Sequence, residues 1–331
     1  MTQSHTSNIV TREGVGILLA AGQGKRMRTD LPKVAHTILG KPMIIWAAES
    51  LLYAGIRNLV VVISPAQESV EEILKHTQFP ENCTVRVAYQ DKPMGTGHAT
   101  ACAMNTLNEM IRDKNIDPNN TEIVIGFGDT PAVSPEAFEK CYQHHLKSNN
   151  VCTVLAFHAE NPSGYGRVIT TSSGNFSEIR EDKDCTSPQK EIKLCNSGFL
   201  CSRLKDLQEA LPRLKPNNAA GEYYLTDVPR FIADQNQQVG VFSGIPQEEL
   251  EGVNSQSQLA SMAQFLQNKI IAAWMEKGVQ FLMPHCTYVD PNVTFEPGVI
   301  VEPFCFLSGH SHFAANSRIV AGSRFVDGKR Q

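Results

Sequence analysis

In the first third of the chain, short apolar runs alternate with stretches of helical period. Residues 15–20 (VGILLA) form a compact apolar run that ends in glycines, which predicts a buried strand. Residues 42–54 read as a helix, 58–63 (NLVVVI) as a second buried strand, and 69–76 as a helix. Residues 84–89 (TVRVAY) alternate like a strand, 97–110 read as a helix and 123–127 as a strand. The alternation continues beyond this point. It predicts an α/β fold, a mainly parallel sheet with helices on both faces. In such sheets ligands bind beyond the carboxyl ends of the strands, where the glycine-rich loops of this chain fall.

Two other periods follow. Over residues 256–277, Leu259, Met262, Phe265, Leu266, Ile270 and Trp274 recur at helical spacing, which predicts one helix linking two units. Beyond it, Val289, Phe295, Val301, Leu307, Phe313, Ile319 and Phe325 stand six residues apart. Four residues after the first six come Val293, Val299, Cys305, Ser311, Ser317 and Ser323, all small or β-branched. A hexapeptide period predicts a short parallel β-helix at the C-terminus, of roughly two coils. Solenoids this short need a partner or a cap, so the tail is expected to self-associate or to be capped. The phenylalanines are bulky for an inward position, which leaves the register less defined than the period. The expected division is a disordered tail over 1–13, an α/β domain over 14–255, a linking helix over 256–277 and the hexapeptide tail over 278–331.

Composition narrows the class. Of 331 residues, 41% are hydrophobic and 19% charged, a globular balance, and the formal net charge of -4 comes with no long basic block. Nucleic acid and membrane surfaces are therefore not expected as partners. Nine cysteines without a C-x-x-C pair argue against a disulfide framework or a zinc site and for reduced thiols in a cytoplasmic protein. The polar start lacks the core of a signal peptide, and no stretch approaches the length of an apolar membrane span.

The loops carry the chemistry. Leu19-Ala20-Ala21-Gly22-Gln23-Gly24-Lys25-Arg26-Met27 follows the first strand, and Leu31-Pro32-Lys33 comes soon after. Glycines let backbone N–H groups approach phosphate oxygens, small alanines leave room for a flat base, and Lys25, Arg26 and Lys33 supply positive charge. Read alone, the segment could be a glycine turn with exposed cations. It is neither G-x-G-x-x-G, since Met27 replaces the third glycine, nor a Walker loop. Gln90 with Gly95-Thr96-Gly97-His98-Ala99 makes a second cradle before a helix, in which His98 is expected to pack or cap. Gly126-Phe127-Gly128-Asp129-Thr130-Pro131 follows an apolar strand, so Asp129 is either a magnesium ligand or a turn aspartate. Asn254 is a further oxygen ligand candidate. Gly164-Tyr165-Gly166-Arg167, Glu181, Asn196-Ser197-Gly198 and Gly221–Asp227 (GEYYLTD) offer groups that suit a sugar with several hydroxyls.

Taken in order, LAAGQGKRM, LPK, GTGHA, FGDTP, GYGRV, GEYYLTD and EGVN resemble bacterial N-acetylglucosamine-1-phosphate uridyltransferase over roughly residues 14–325. In many bacteria that activity is the amino-terminal half of a bifunctional enzyme with a glucosamine-1-phosphate acetyltransferase half. The resemblance implies a nucleotidyltransferase domain, a helical arm and a left-handed β-helix. It implies that Leu19, Ala20, Ala21, Gly22, Gln90, Gly95, Thr96 and Gly128 surround the uracil nucleotide, and that Arg26 and Lys33 face its phosphates as the catalytic pair. It further implies that Asp129 and Asn254 share Mg²⁺, and that Gly166, Glu181, Asn196, Tyr223 and Thr226 bind the amino sugar. A homo-oligomer, by analogy a trimer through the β-helix, is implied as well.

Departures from the pattern are Phe127 where tyrosine is usual, Pro93 where glutamine is common, and Ser255-Gln256 where Asn-Arg is common. The family's acetyltransferase residues lie on later coils, so acetyl transfer is not expected here. The expected reaction is in-line attack of an amino-sugar 1-phosphate on the α-phosphorus of UTP, a step toward cell-wall precursors, with charge neutralisation rather than a general base. A different sugar or base, or a non-catalytic nucleotide-sugar binder, remain the alternatives. Loops of small-alcohol-phosphate cytidylyltransferases also carry Gly-x-Gly-x-Arg-Met and Pro-Lys.

Overall fold

The computed structural model describes residues 14–331, so the tail expected over 1–13 lies outside the described residues. Two compact units are formed, one from residues 14–23 and 44–252, the other from 24–43 and 253–331. In chain order the strands before the hexapeptide tail are β1 (Gly14–Leu19), β2 (Thr37–Ile38), β3 (Lys41–Pro42), β4 (Asn58–Ile63), β5 (Thr84–Tyr89) and β6 (Glu122–Phe127). After them come β7 (Cys152–His158), β8 (Arg167–Thr170), β9 (Phe176–Arg180), β10 (Leu194–Arg203) and β11 (Val239–Phe242). The helices are α1 (Met43–Tyr53), α2 (Glu68–His76), α3 (Thr96–Asp113), α4 (Pro135–Lys147), α5 (Ser187–Lys190), α6 (Leu204–Ala210), α7 (Val228–Ala233), α8 (Gln247–Leu250) and α9 (Gln256–Glu276).

The first unit is built on one sheet of order β11-β7-β10-β6-β1-β4-β5, with β8 and β9 as an arm beside β10. All pairings along it are parallel except those of β10, which runs antiparallel to both β6 and β7. Every residue of β1 is buried, as a parallel strand covered on both faces requires. Side chains from β1, β4 and β6 share one apolar cluster with Ala99, Ala103, Leu107 and Met110 of α3. The predicted strands and helices lie within a residue or a few of those observed. What the patterns did not foretell is the reversal at β10, whose apolar run carries no mark of direction.

In the second unit, Ser255 starts α9 as its N-cap, its Oγ accepting from the Gln258 N–H at 3.3 Å. The tail beyond α9 winds as a parallel β-helix. Gln280–Phe281, Ile300–Val301 and Arg318–Ile319 ladder on one face. Tyr288–Val289, Phe306–Ser308 and Arg324–Val326 form the second, and Thr294–Phe295 with His312–Phe313 the third. Val289, Phe295, Val301, Leu307, Phe313 and Ile319 all point inward and are buried, with Phe325 half-buried against them. The phenylalanines fit by packing on one another: Phe295 and Phe313 stack at 5.4 Å along the third face, and Phe313 meets Phe325 of the second face edge-on at 5.1 Å. Trp274 of α9 packs edge-on against Phe295 at 5.3 Å, and Ile271 joins the same core, so the helix covers apolar surface of the coil. Among the described residues no helix is long and apolar enough to cross a membrane.

Candidate functional site

At the carboxyl edge of the first unit's sheet, three loops are tied together by backbone bonds. The Ala20 N–H donates to Val62 at 2.8 Å, the Gly128 N–H to the Leu19 carbonyl at 2.9 Å, and the Gln90 N–H to Ile63 at 2.8 Å. The ends of β1, β4, β5 and β6 therefore present their loops side by side. Ala20 and Ala21 are buried, whereas Gly22 is exposed, and a Cβ there would meet nothing within 4 Å. Gln67, which no motif had singled out, holds this loop. Its Nε2 donates to the carbonyls of Ala20 (3.2 Å) and Gly22 (3.4 Å), while its Oε1 accepts from the Ser64 N–H at 2.8 Å. A glutamine just before a helix carries no signal of that reach in sequence.

The second cradle is clamped by the GEYYLTD segment. Gly95 has φ of +106°, and a Cβ on it would lie 2.6 Å from the Tyr223 carbonyl oxygen, so glycine is required there. The Gly97 N–H donates to that same carbonyl at 2.8 Å, and the Tyr223 N–H donates to Met94 at 2.8 Å. Thr96 Oγ1 accepts from the Leu225 N–H at 3.1 Å. Residues 94–97 and 223–225 are thus tied together at the head of α3. His98 does not cap the helix by its side chain. Its ring instead lies against the amide of Gln90, at 3.0 Å.

Four of the five expected sugar ligands come together where β10 breaks register between Asn196 and Leu200. The Asn196 N–H donates to the Gly166 carbonyl at 2.8 Å, and the Thr226 hydroxyl donates to Glu181 Oε1 at 2.8 Å. A Cβ on Gly166 would stand 3.5 Å from each Glu181 carboxylate oxygen. Burial raises the pKa of Glu181; the Thr226 hydrogen bond opposes the rise, and nearby Asp184, Asp227 and Asp182 add to it. A carboxylate held this way gains from any donor a ligand brings, and sugar hydroxyls are such donors. Arg167 is buried and braces the cluster from behind, donating to Asp182 Oδ1 at 2.9 Å and to the Tyr165 carbonyl. Glu181 also borders a cavity of about 500 Å³ shared with Arg180, Asp184, Arg213, Lys215 and Tyr224.

Phe127 has a packing reason. It meets Phe199 edge-on at 6.0 Å, and its ring would lie 2.6 Å from a Cβ on Gly198, whose φ is +92°. The aromatic ring fills space made by a glycine rather than standing free over a ligand.

Arg26, Lys33 and Asn254 belong to the second unit. Gly24, at φ +61°, lets the chain pass Lys33, whose Cβ would be 2.5 Å from a Cβ at that glycine. Arg26 sits in a short 3-10 turn over Lys25–Met27 and is exposed. Lys33 Nζ donates to Asn254 Oδ1 at 2.9 Å, and the Asn254 N–H donates to Gln258 Oε1 at 2.8 Å. Gln256 Nε2 reaches the Met27 carbonyl at 3.4 Å. Residues after Asn254 that depart from the usual pattern therefore serve the start of α9 and the cationic loop. The donor chemistry suits magnesium. Asp129 and Asn254 are each an oxygen donor taken by itself: in the first unit Asp129 has a half-buried carboxylate just past β6, and in the second the Asn254 amide oxygen accepts from Lys33. Among the described residues no group of three or more His, Cys, Asp and Glu side chains could hold a metal ion.

These features accord with known proteins. Three relatives, each called bifunctional protein GlmU, are similar along most of the chain. That of Thermoanaerobacter pseudethanolicus is 37% identical over 279 residues, 84% of this chain and 57% of the relative. That of Caldanaerobacter subterraneus subsp. tengcongensis is 36% identical over 281 residues, 85% and 58% of the two chains. That of Clostridioides difficile is 34% identical over 277 residues, 84% and 57%. The matched part of the chain thus spans little more than half the length of these relatives. Residues 15–192, more than half of the sequence, match the nucleotidyl transferase family, and the chain belongs to that family.

Proposed function

We propose that the protein transfers a uridylyl group from UTP to N-acetylglucosamine 1-phosphate, giving UDP-N-acetylglucosamine and pyrophosphate. The observation that carries this reading is the meeting of Glu181, Asn196 and Thr226 around Gly166, a cluster of groups suited to hydroxyls in a chain whose residues 15–192 match the nucleotidyl transferase family. Similarity to proteins named GlmU supports the choice of substrates.

In the proposed reaction a phosphate oxygen of the sugar attacks the α-phosphorus of UTP. The new P–O bond forms as the bond to the bridging oxygen breaks, and pyrophosphate leaves with the electron pair. The attacking oxygen is already anionic near neutral pH, so no side chain has to remove a proton. Leu19, Ala20, Ala21, Gly22 and Gly128 line the nucleotide, with Gln90, Gly95 and Thr96 at its base. Arg26 and Lys33 neutralise charge on the transferred and departing phosphates. Asp129 and Asn254 would serve as oxygen ligands to Mg²⁺, which when bound would supply positive charge to phosphate oxygens. Glu181 and Asn196 orient the sugar, with Gly166 giving it room and Tyr223 and Thr226 nearby. The working unit is a homo-oligomer, by analogy a trimer through the β-helix, which sedimentation would show as a species larger than the monomer.

The test is pyrophosphate release from purified protein with Mg²⁺, UTP and a panel of sugar 1-phosphates, repeated with CTP, ATP, GTP and dTTP. Release with UTP and N-acetylglucosamine 1-phosphate, abolished by chelation, is the expected result. Release with another pair alone would keep the reaction type and replace the substrates. No release with any pair, from folded protein that binds nucleotide, would make the protein a binder.

A further inference from the structure

We infer that His98 sets the choice of base in this protein by fixing the side-chain amide of Gln90 in one orientation, with its oxygen turned to the nucleotide. The inference rests on the nucleotide reading above and deepens it. Gln90 follows β5, two strands from β1 and hence roughly 10 Å across the sheet from the glycine loop, a gap that a pyrimidine ring can span.

The side chain of Gln90 is buried, and its Nε2 group has two acceptors, the Gly95 carbonyl at 3.1 Å and His98 Nδ1 at 3.0 Å. A carbonyl oxygen only accepts, so the amide atom beside Gly95 has to be the nitrogen. The second amide proton then goes to Nδ1. That leaves the ring proton of His98 on Nε2; Cys102 Sγ, one turn along α3, lies 3.8 Å from Nε2 and 3.9 Å from Nδ1, too far to replace the amide at Nδ1. With both protons engaged, Oε1 is the atom Gln90 has left to offer, and no hydrogen bond within the protein uses it among the described residues.

A fixed acceptor selects a base that presents an N–H to it, such as the imide N3–H of uracil or thymine. Cytosine presents a ring-nitrogen lone pair at that position, and two lone pairs would then face each other. Without the imidazole, the amide keeps only the Gly95 anchor and is free to turn. His98 touches neither base nor phosphate in this scheme, so it is a positioning residue.

The test compares UTP and CTP, by calorimetric binding with Mg²⁺ and by pyrophosphate release, in the parent, His98→Ala and His98→Asn. The asparagine keeps an acceptor near the place of Nδ1. For His98→Ala the expected result is a loss of about tenfold in UTP affinity and a matching rise in its KM, with kcat nearly unchanged and CTP binding little affected. His98→Asn should retain the parent's preference for UTP. Weakening of both nucleotides alike in His98→Ala, or an unchanged UTP-to-CTP ratio, would overturn the inference while leaving the nucleotide reading intact. Should His98→Ala not fold, His98→Asn decides, since loss of its UTP preference would count against the acceptor role. A parent protein that binds UTP and CTP equally would remove both the inference and the base assignment beneath it.

Discussion

Lys33 donates to the side-chain amide oxygen of Asn254 at 2.9 Å, joining residues 221 positions apart in the chain. The contact couples a proposed phosphate-facing cation to a proposed metal ligand. Replacing Lys33 by alanine is expected to lower turnover by about 10²–10³-fold, the usual loss when one charge-stabilising contact is removed. Because the two side chains touch, Lys33→Ala and Asn254→Ala should be non-additive, with the double variant less impaired than the product of the single losses. Steady-state kinetics on the four proteins would measure this, and strict additivity would count against a shared role.

Asp129 stands just past β6, half-buried, beside Gly128 whose N–H is held by Leu19. Asp129→Asn keeps the shape and removes the charge. Turnover should fall by about 10² or more, with the Mg²⁺ requirement shifted to higher concentration and the unfolding midpoint unchanged. A magnesium titration of pyrophosphate release, paired with thermal unfolding, checks this. Parental turnover in the variant would remove Asp129 from the metal site.

Glu181 makes a prediction about pH. Burial, opposed by Thr226 and aided by neighbouring aspartates, holds its pKa above the ordinary 4.5. A carboxyl with a raised folded-state pKa binds its proton more tightly folded than unfolded. Its contribution to stability is therefore complete below 4.5 and is lost as pH rises through the folded value. Glu181→Gln removes that dependence. The variant should gain thermal stability relative to the parent as the pH goes from about 4 to about 7, and should raise KM for the sugar phosphate. An equal difference in unfolding midpoint at both pH values would contradict the assignment.

Gly95 is a backbone requirement of the proposed nucleotide cradle. With φ at +106° and the Tyr223 carbonyl 2.6 Å from where a Cβ would sit, Gly95→Ala has to displace one of the two segments. The cost should be about 2 kcal/mol or more, from strain and crowding together. Chemical denaturation would register it as a lower midpoint with an unchanged slope. Gly164→Ala, also at positive φ but with nothing within 4 Å of a Cβ, should cost less.

Much of this was legible in the residues. Buried runs such as NLVVVI and the six-residue recurrence of Val289 through Phe325 fixed parallel strands and coil, because each period reflects a geometry that admits few alternatives. The glycines at 95 and 166 marked places where backbone or carboxylate comes close. Other features left no trace in spacing. The reach of Gln67 to Ala20 and Gly22, and of Lys33 to Asn254, depends on tertiary proximity between side chains that look ordinary in sequence. The contact of His98 with Gln90 is likewise hidden, since a histidine after a glycine turn does not reveal which neighbour its ring nitrogens will find. The residues 24–43 were not separable by pattern from the segment before them, yet they belong to the unit of the C-terminal coil.

In that coil, from Tyr288 onward each ladder partner lies 18 residues further on, as His312 does from Thr294, and Tyr288, Phe306 and Arg324 stack as aromatic, aromatic and guanidinium along one face. The tail therefore has a unit of length. Whole turns can be inserted or excised as modules with every rung keeping its neighbour, whereas the gain or loss of one residue inside a rung would rotate all later inward positions out of the core. Variation in the size of such a tail should come in discrete steps, each bringing one new coil and one new set of outward-facing side chains.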